Sequence, residues 1–96
     1  MQTKEELAGV FSALADPLRL RLLEMLPKAA SPQPICVCDL AKKLGVSQPN
    51  ASHHLKILRS AGLIRCHKDG GFSYYHVDPE RVKAVLEQMQ RELVSG

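Results

Sequence analysis

The tripeptide Gly45-Val46-Ser47 most tightly constrains how this chain folds, because it joins two short segments of helical periodicity and leaves no room for a longer loop. The first segment is expected as a brief helix over Asp39–Leu44. Gly45 ends it, since glycine takes the left-handed conformation without a Cβ penalty. Ser47 caps the next helix, with Pro49 inside its first turn. Ala51, Leu55 and Leu58 form that helix's inner face, and Gly62 ends it. Two short helices about so tight a turn predict a helix-turn-helix over about residues 38–60.

At about 100° per residue, Pro49, Ser52, His53, Lys56 and Ser60 fall opposite the inner face. Gln48 and Arg59 lie nearer one edge of that open side and Asn50 on the other flank. A helix presenting small polar groups, amides and a lysine can enter a DNA major groove, where such groups pair with base edges. Gln48 and Asn50 suit adenine, while Ser47, Ser52 and Lys56 suit phosphates, which position without specifying. An ordinary solvated helix face would carry the same pattern. His54, about 60° from the inward centre, is expected as a partly buried packing residue and not a ligand.

Behind this motif, Leu63–Lys68 and Phe72–Val77 are rich in β-formers and separated by Asp69-Gly70-Gly71, which predicts a hairpin wing over about residues 63–77. Arg65 and Lys68, with His67, are placed to reach phosphates or an adjacent minor groove. Upstream, Leu7, Val10, Phe11 and Leu14 share one helical stripe, and Asp16-Pro17 opens a second helix with Leu18, Leu22, Met25 and Leu26 inward, widened by Leu20 and Leu23. Residues 27–34 hold three prolines and form a loop, followed by an extended Ile35-Cys36-Val37. Pro79 opens a last helix with Val82, Val85, Leu86, Met89 and Leu93 on one stripe. The expected architecture is α+β, mostly α: a winged helix-turn-helix forming one domain over residues 1–96. Leu7, Val10 and Phe11 at one end, and Val85, Met89 and Leu93 at the other, exceed what so small a core needs. They predict a homodimer through the first and last helices. Two reading helices would then lie one DNA turn apart, or a multiple, on a palindromic double-stranded site.

Composition narrows the setting. Apolar residues make up 45% of the chain and charged ones 24%, which suits a globular protein. The net charge of +3 is uneven: residues 47–76 hold four Lys or Arg and four His against one Asp, between slightly acidic ends. No apolar run approaches the ~20 residues of a membrane span, and Met1–Glu6 does not resemble a signal peptide. A cytoplasmic protein without a membrane partner is expected. That compartment is reducing, so Cys36, Cys38 and Cys66 are expected as thiols. No cofactor motif accompanies them, so an enzyme is not expected; a thiol-dependent enzyme using Cys36 and Cys38 is the alternative from another class.

Ala15-Asp16-Pro17-Leu18-Arg19, the run Ser47-Gln48-Pro49-Asn50-Ala51-Ser52-His53-His54-Leu55-Lys56, Ala61-Gly62-Leu63-Ile64 and the Tyr74-Tyr75 strand together resemble the ArsR/SmtB family of metal-sensing winged-helix repressors. The resemblance spans nearly the whole chain and implies a DNA-binding repressor released by an inducer. Within it, Cys36-Val37-Cys38-Asp39-Leu40 looks like the metal box of the family's arsenic- and cadmium-type sensors. Cys36 and Cys38 would be the ligands, and thiolates select soft or thiophilic cations. The start of a helix favours negative charge, which raises the thiolate fraction of Cys38. Several family features are missing. Position 41, where some arsenic sensors carry a third cysteine, is Ala41; residues 1–34 hold no cysteine; and the last helix has no histidine for the family's zinc site. Two thiolates alone do not complete tetrahedral zinc. As(III) or Sb(III), which can engage two or three sulfurs, is the expected inducer, with Cd or Pb as alternatives and no obligatory cofactor. Cys66 is the candidate third ligand, but its alternation with Ile64 and the intervening hairpin strand suggest a small core residue instead. A sensor of oxidants or reactive sulfur remains open for the same two thiols.

Overall fold

The computed structural model describes residues 1–94; Ser95 and Gly96, the end of the expected 1–96 domain, lie outside the described residues. The elements follow the expected order: α1 (Lys4–Leu14), α2 (Pro17–Met25), α3 (Val37–Leu44), α4 (Gln48–Ser60), β1 (Ile64–Asp69), β2 (Phe72–Val77) and α5 (Pro79–Leu93). Each helix start has a local cause. Thr3 and Glu6 form a reciprocal capping box on α1, and Asp16 accepts from the amides of Leu18 and Arg19 at 2.8 and 3.4 Å. Asp78 accepts from the amide of Arg81 at 3.2 Å to start α5.

The third helix begins two residues earlier than expected. Val37 is helical, and the extended Cys36 is the cap, its carbonyl accepting from Asp39 and Leu40 at 3.0 and 3.2 Å. Gly45 ends α3 at φ 72°, as the turn requires. Gly62 has φ 76°, a left-handed conformation that strains any side chain, and a Cβ there would also press within 3.1 Å of Nε of Arg81. In the hairpin, Ile64 pairs with Val77 and Asp69 with Phe72, leaving Gly70 and Gly71 as a two-residue turn with both φ positive.

The core gathers around α4. Leu22, Leu58 and Leu63 are fully buried, and Val10, Leu55, Ile64, Val77 and Val85 close around them. Loop 27–35 runs along the outer edge of β2: the Val77 amide donates to the Pro27 carbonyl at 2.8 Å, and the Ile35 amide to the Ser73 carbonyl at 2.7 Å.

Two expected stripes are revised. Leu7, Val10 and Val85, assigned above to a partner surface, are buried within the chain itself. α5 folds back so that Gln88 exchanges two 2.9 Å hydrogen bonds with the backbone of Gln2, and this clasp draws α1 over them. What stays exposed is Phe11, Leu86 and Leu93, with Met89 half-buried. Leu20, expected to widen the buried face of α2, is also exposed.

Candidate nucleic-acid interface and thiol site

The open side of α4 is solvent-facing throughout: Ser47, Gln48, Asn50, Ser52, His53, Lys56 and Arg59 are all exposed. The Ser47 hydroxyl oxygen accepts from the Asn50 amide at 3.2 Å, and Pro49 has no amide hydrogen. Of the first three amides of α4, that of Gln48 has no acceptor among the described residues. α3 packs directly against α4. His53 and Lys56 line a cleft of about 580 Å³ shared with Glu6 and Gly9 of α1 and with Arg81. His54 is buried, as expected for a packing residue, and its Nδ1 lies 3.1 Å from a guanidinium nitrogen of Arg19.

On the wing, Lys68 is exposed and forms no salt bridge among the described residues, whereas Arg65 pairs with Asp78 at 3.1 Å while remaining largely exposed. Sequence reasoning placed Arg65 on phosphates and missed this partner, because the two residues lie 13 apart in the chain and meet only across the closed hairpin. Arg59, Arg65, His67 and His76 line one recess between the end of α4 and β1. Cys66 faces Tyr75 across the hairpin. Burial, then the neighbouring Cys66 thiol, holds the Tyr75 phenol above its ordinary range, and the Arg59 guanidinium only partly offsets this.

Cys36 and Cys38 are joined in a disulfide, with Cα atoms 5.2 Å apart. This corrects the expectation of free thiols. The physical reason is local: the helix cap and the second helical residue turn both sulfurs to one side. Asp39 joins them, its carboxylate oxygen 4.0 Å from Sγ of Cys38, and one donor atom from each of the three residues falls within 4.8 Å of the others. Sequence reasoning omitted Asp39 as a donor; its place directly after Cys38 in the first helical turn was the available signal. Reduced, the pair fits a single soft ion. Metal–sulfur bonds of about 2.3 Å require sulfurs about 3–4 Å apart, within reach of side-chain rotation. Cys66 is not in this group, and the Ile35–Ser73 bond sets β2 between it and the Cys36 segment.

Residues 16–65, covering α2 through the first residues of β1, match the model of the family described as bacterial regulatory protein, arsR family. The chain belongs to the ArsR family. This ArsR regulator is 38% identical over 91 residues to an arsenical resistance operon repressor of Bacillus subtilis, covering 91% of this chain and 84% of the relative. It is 36% identical over 97 residues to a cadmium resistance regulatory protein homolog of Staphylococcus aureus, covering 98% and 78%. An ArsR-like regulator from Rhodococcus sp. RHA1 superposes with a TM-score of 0.75 at 30% identity, over 91% of this chain and 78% of that one. A homodimeric winged helix-turn-helix domain from Mycobacterium bovis does so with 0.68 at 25%, over 95% and 88%. The ArsR chain is therefore a winged helix-turn-helix transcription regulator, and the relatives are regulators, not enzymes. Among the described residues, no helix is long and apolar enough to cross a membrane.

Proposed function

We propose that this ArsR regulator is a cytoplasmic homodimeric repressor, its residues 1–96 one DNA-binding domain, that leaves a palindromic operator when As(III) or Sb(III) binds Cys36 and Cys38. Cd(II) and Pb(II) are the alternative inducers. The observation that carries the reading is the convergence of both sulfurs and the Asp39 carboxylate at the start of α3, the helix packed on α4. Gln48 and Asn50 contact base edges. Ser47, Ser52, His53, Lys56 and Arg59 hold the backbone, with Lys68 following from the wing and Arg65 joining it only when it leaves Asp78. Phe11, Leu86 and Leu93 supply the apolar area for the second subunit, consistent with the homodimeric Mycobacterium bovis neighbour.

Chelation pulls the cap residue Cys36, and two routes lead from it to DNA. One is the α3–α4 packing; the other is Ile35, bonded to Ser73 of the wing. Coupling between such sites is typically about 5–150-fold in affinity. The test is a mobility shift on a duplex selected from a random library by the wild type, with excess reductant and a titration of arsenite, antimonite, Cd(II) or Pb(II). Release by the wild type and retention by Cys36→Ser/Cys38→Ser support the proposal. Release of the double variant by the same ions would overturn it.

The disulfide favours a second reading, in which the same pair senses oxidants. Two thiols and one hydrogen peroxide give one disulfide and two waters, and a dithiol reductant reverses the step. Release by peroxide, regained with dithiothreitol and indifferent to arsenite, would establish this reading over the first.

A further inference from the structure

The side chain of Arg19 ties three helices together. Its Nε donates to the Ala13 carbonyl at 2.7 Å and its Nη2 to the Ser12 carbonyl at 3.2 Å, at the end of α1. Its Nη1 lies 3.8 Å from Oδ2 of Asp16 and 3.1 Å from Nδ1 of His54, in the middle of α4. A guanidinium only donates, so Nδ1 of His54 is the acceptor in this bond. His54 is buried, while its neighbour His53, with ring centroids 5.8 Å apart, is exposed on the open side of α4.

We propose that Arg19 is a positioning residue for DNA recognition, holding α4 at a fixed angle to α1 through its hydrogen bond to His54. The inference rests on α4 being the reading helix. Ala51, Leu55 and Leu58 anchor α4 by apolar contact, which has no direction. The Arg19–His54 bond adds one. Without it, only a fraction of molecules present α4 at the docking angle, and apparent affinity falls by that fraction. Among the described residues, the charged or titratable groups facing His54 are Asp16 and Arg19 from α2 and His53 from its own helix. α1 brings only the carbonyls of Ser12 and Ala13 to the cluster.

The test measures anisotropy of a fluorescein-labelled duplex selected from a random library by the reduced wild-type protein. His54→Leu is expected to bind about fivefold or more weakly at about pH 7.5, within the usual range of such couplings. His54→Gln restores binding, because its amide oxygen accepts from Arg19. Arg19→Met combined with His54→Leu binds no more weakly than Arg19→Met alone, since that single variant has already lost the bond to His54. Wild-type affinity in a folded His54→Leu, or a His54→Gln that binds as weakly as His54→Leu, would overturn the inference while leaving α4 as the reading helix. Failure of the wild type to select any duplex would overturn both.

Discussion

Replacing Lys56 with methionine tests how many charges reach the DNA backbone. Lys56 is exposed on the open side of α4, Arg59 lies one turn on, and Lys68 stands exposed on the wing. Arg65 is held by Asp78 and is left out of the count. Three phosphate contacts per subunit make six in a dimer. At about 0.9 per contact, log affinity then falls against log salt with a slope of about −5, which is roughly 2,000-fold between about 50 and 200 mM. Counting Arg65 as well gives about −7, so the structure and the sequence predict different slopes. Lys56→Met removes two contacts and flattens the slope by about 2, with no change in base preference. Anisotropy titrations of a selected duplex at five or more salt concentrations measure both slopes. A wild-type slope shallower than about −3, or an unchanged slope in Lys56→Met, would refute the assignment of these charges.

Other consequences are quicker to check. Leu58 is fully buried at the centre of the core, so Leu58→Ala should lower unfolding free energy by about 2–5 kcal/mol in a denaturant titration. Gly45→Ala forces a side chain into the left-handed conformation and should cost about 1–2 kcal/mol, measured the same way. Although burial alone would raise the Asp16 carboxyl, the amides of Leu18 and Arg19 and the Arg19 guanidinium hold it below its ordinary range. Its stabilising contribution is therefore present at neutral pH and lost as pH falls below the ordinary Asp value. Asp16→Asn should flatten that acid limb of the stability profile. The raised Tyr75 phenol works oppositely: stability should fall as pH rises from the ordinary tyrosine value of 10.0 upward, and less steeply in Tyr75→Phe.

What the sequence disclosed was mostly local. Gly45, the Ser47 cap, the inward Ala51, Leu55 and Leu58, and the Gly70-Gly71 turn each act within a few residues, and the structure keeps them. Contacts between distant residues were not legible. Gln88 with Gln2, Arg19 with His54 and Arg65 with Asp78 join residues whose own patterns fit simpler roles. The apolar stripes of α1 and α5 were visible, but not that a polar clasp at Gln88 would turn Leu7, Val10 and Val85 into the chain's own core. The Cys36–Cys38 spacing was plain, whereas the bond between the sulfurs depends on Cys36 being the helix cap, and the helix start was misplaced by two residues.

The central claim is that the exposed start of α4 touches bases. Selecting duplexes from a random library with the wild type and with Gln48→Ala tests it most directly. The account predicts two symmetry-related positions at which the variant loses its base preference by about 1–3 kcal/mol, the rest of the site being unchanged. The same preferences at every position in both proteins would contradict it.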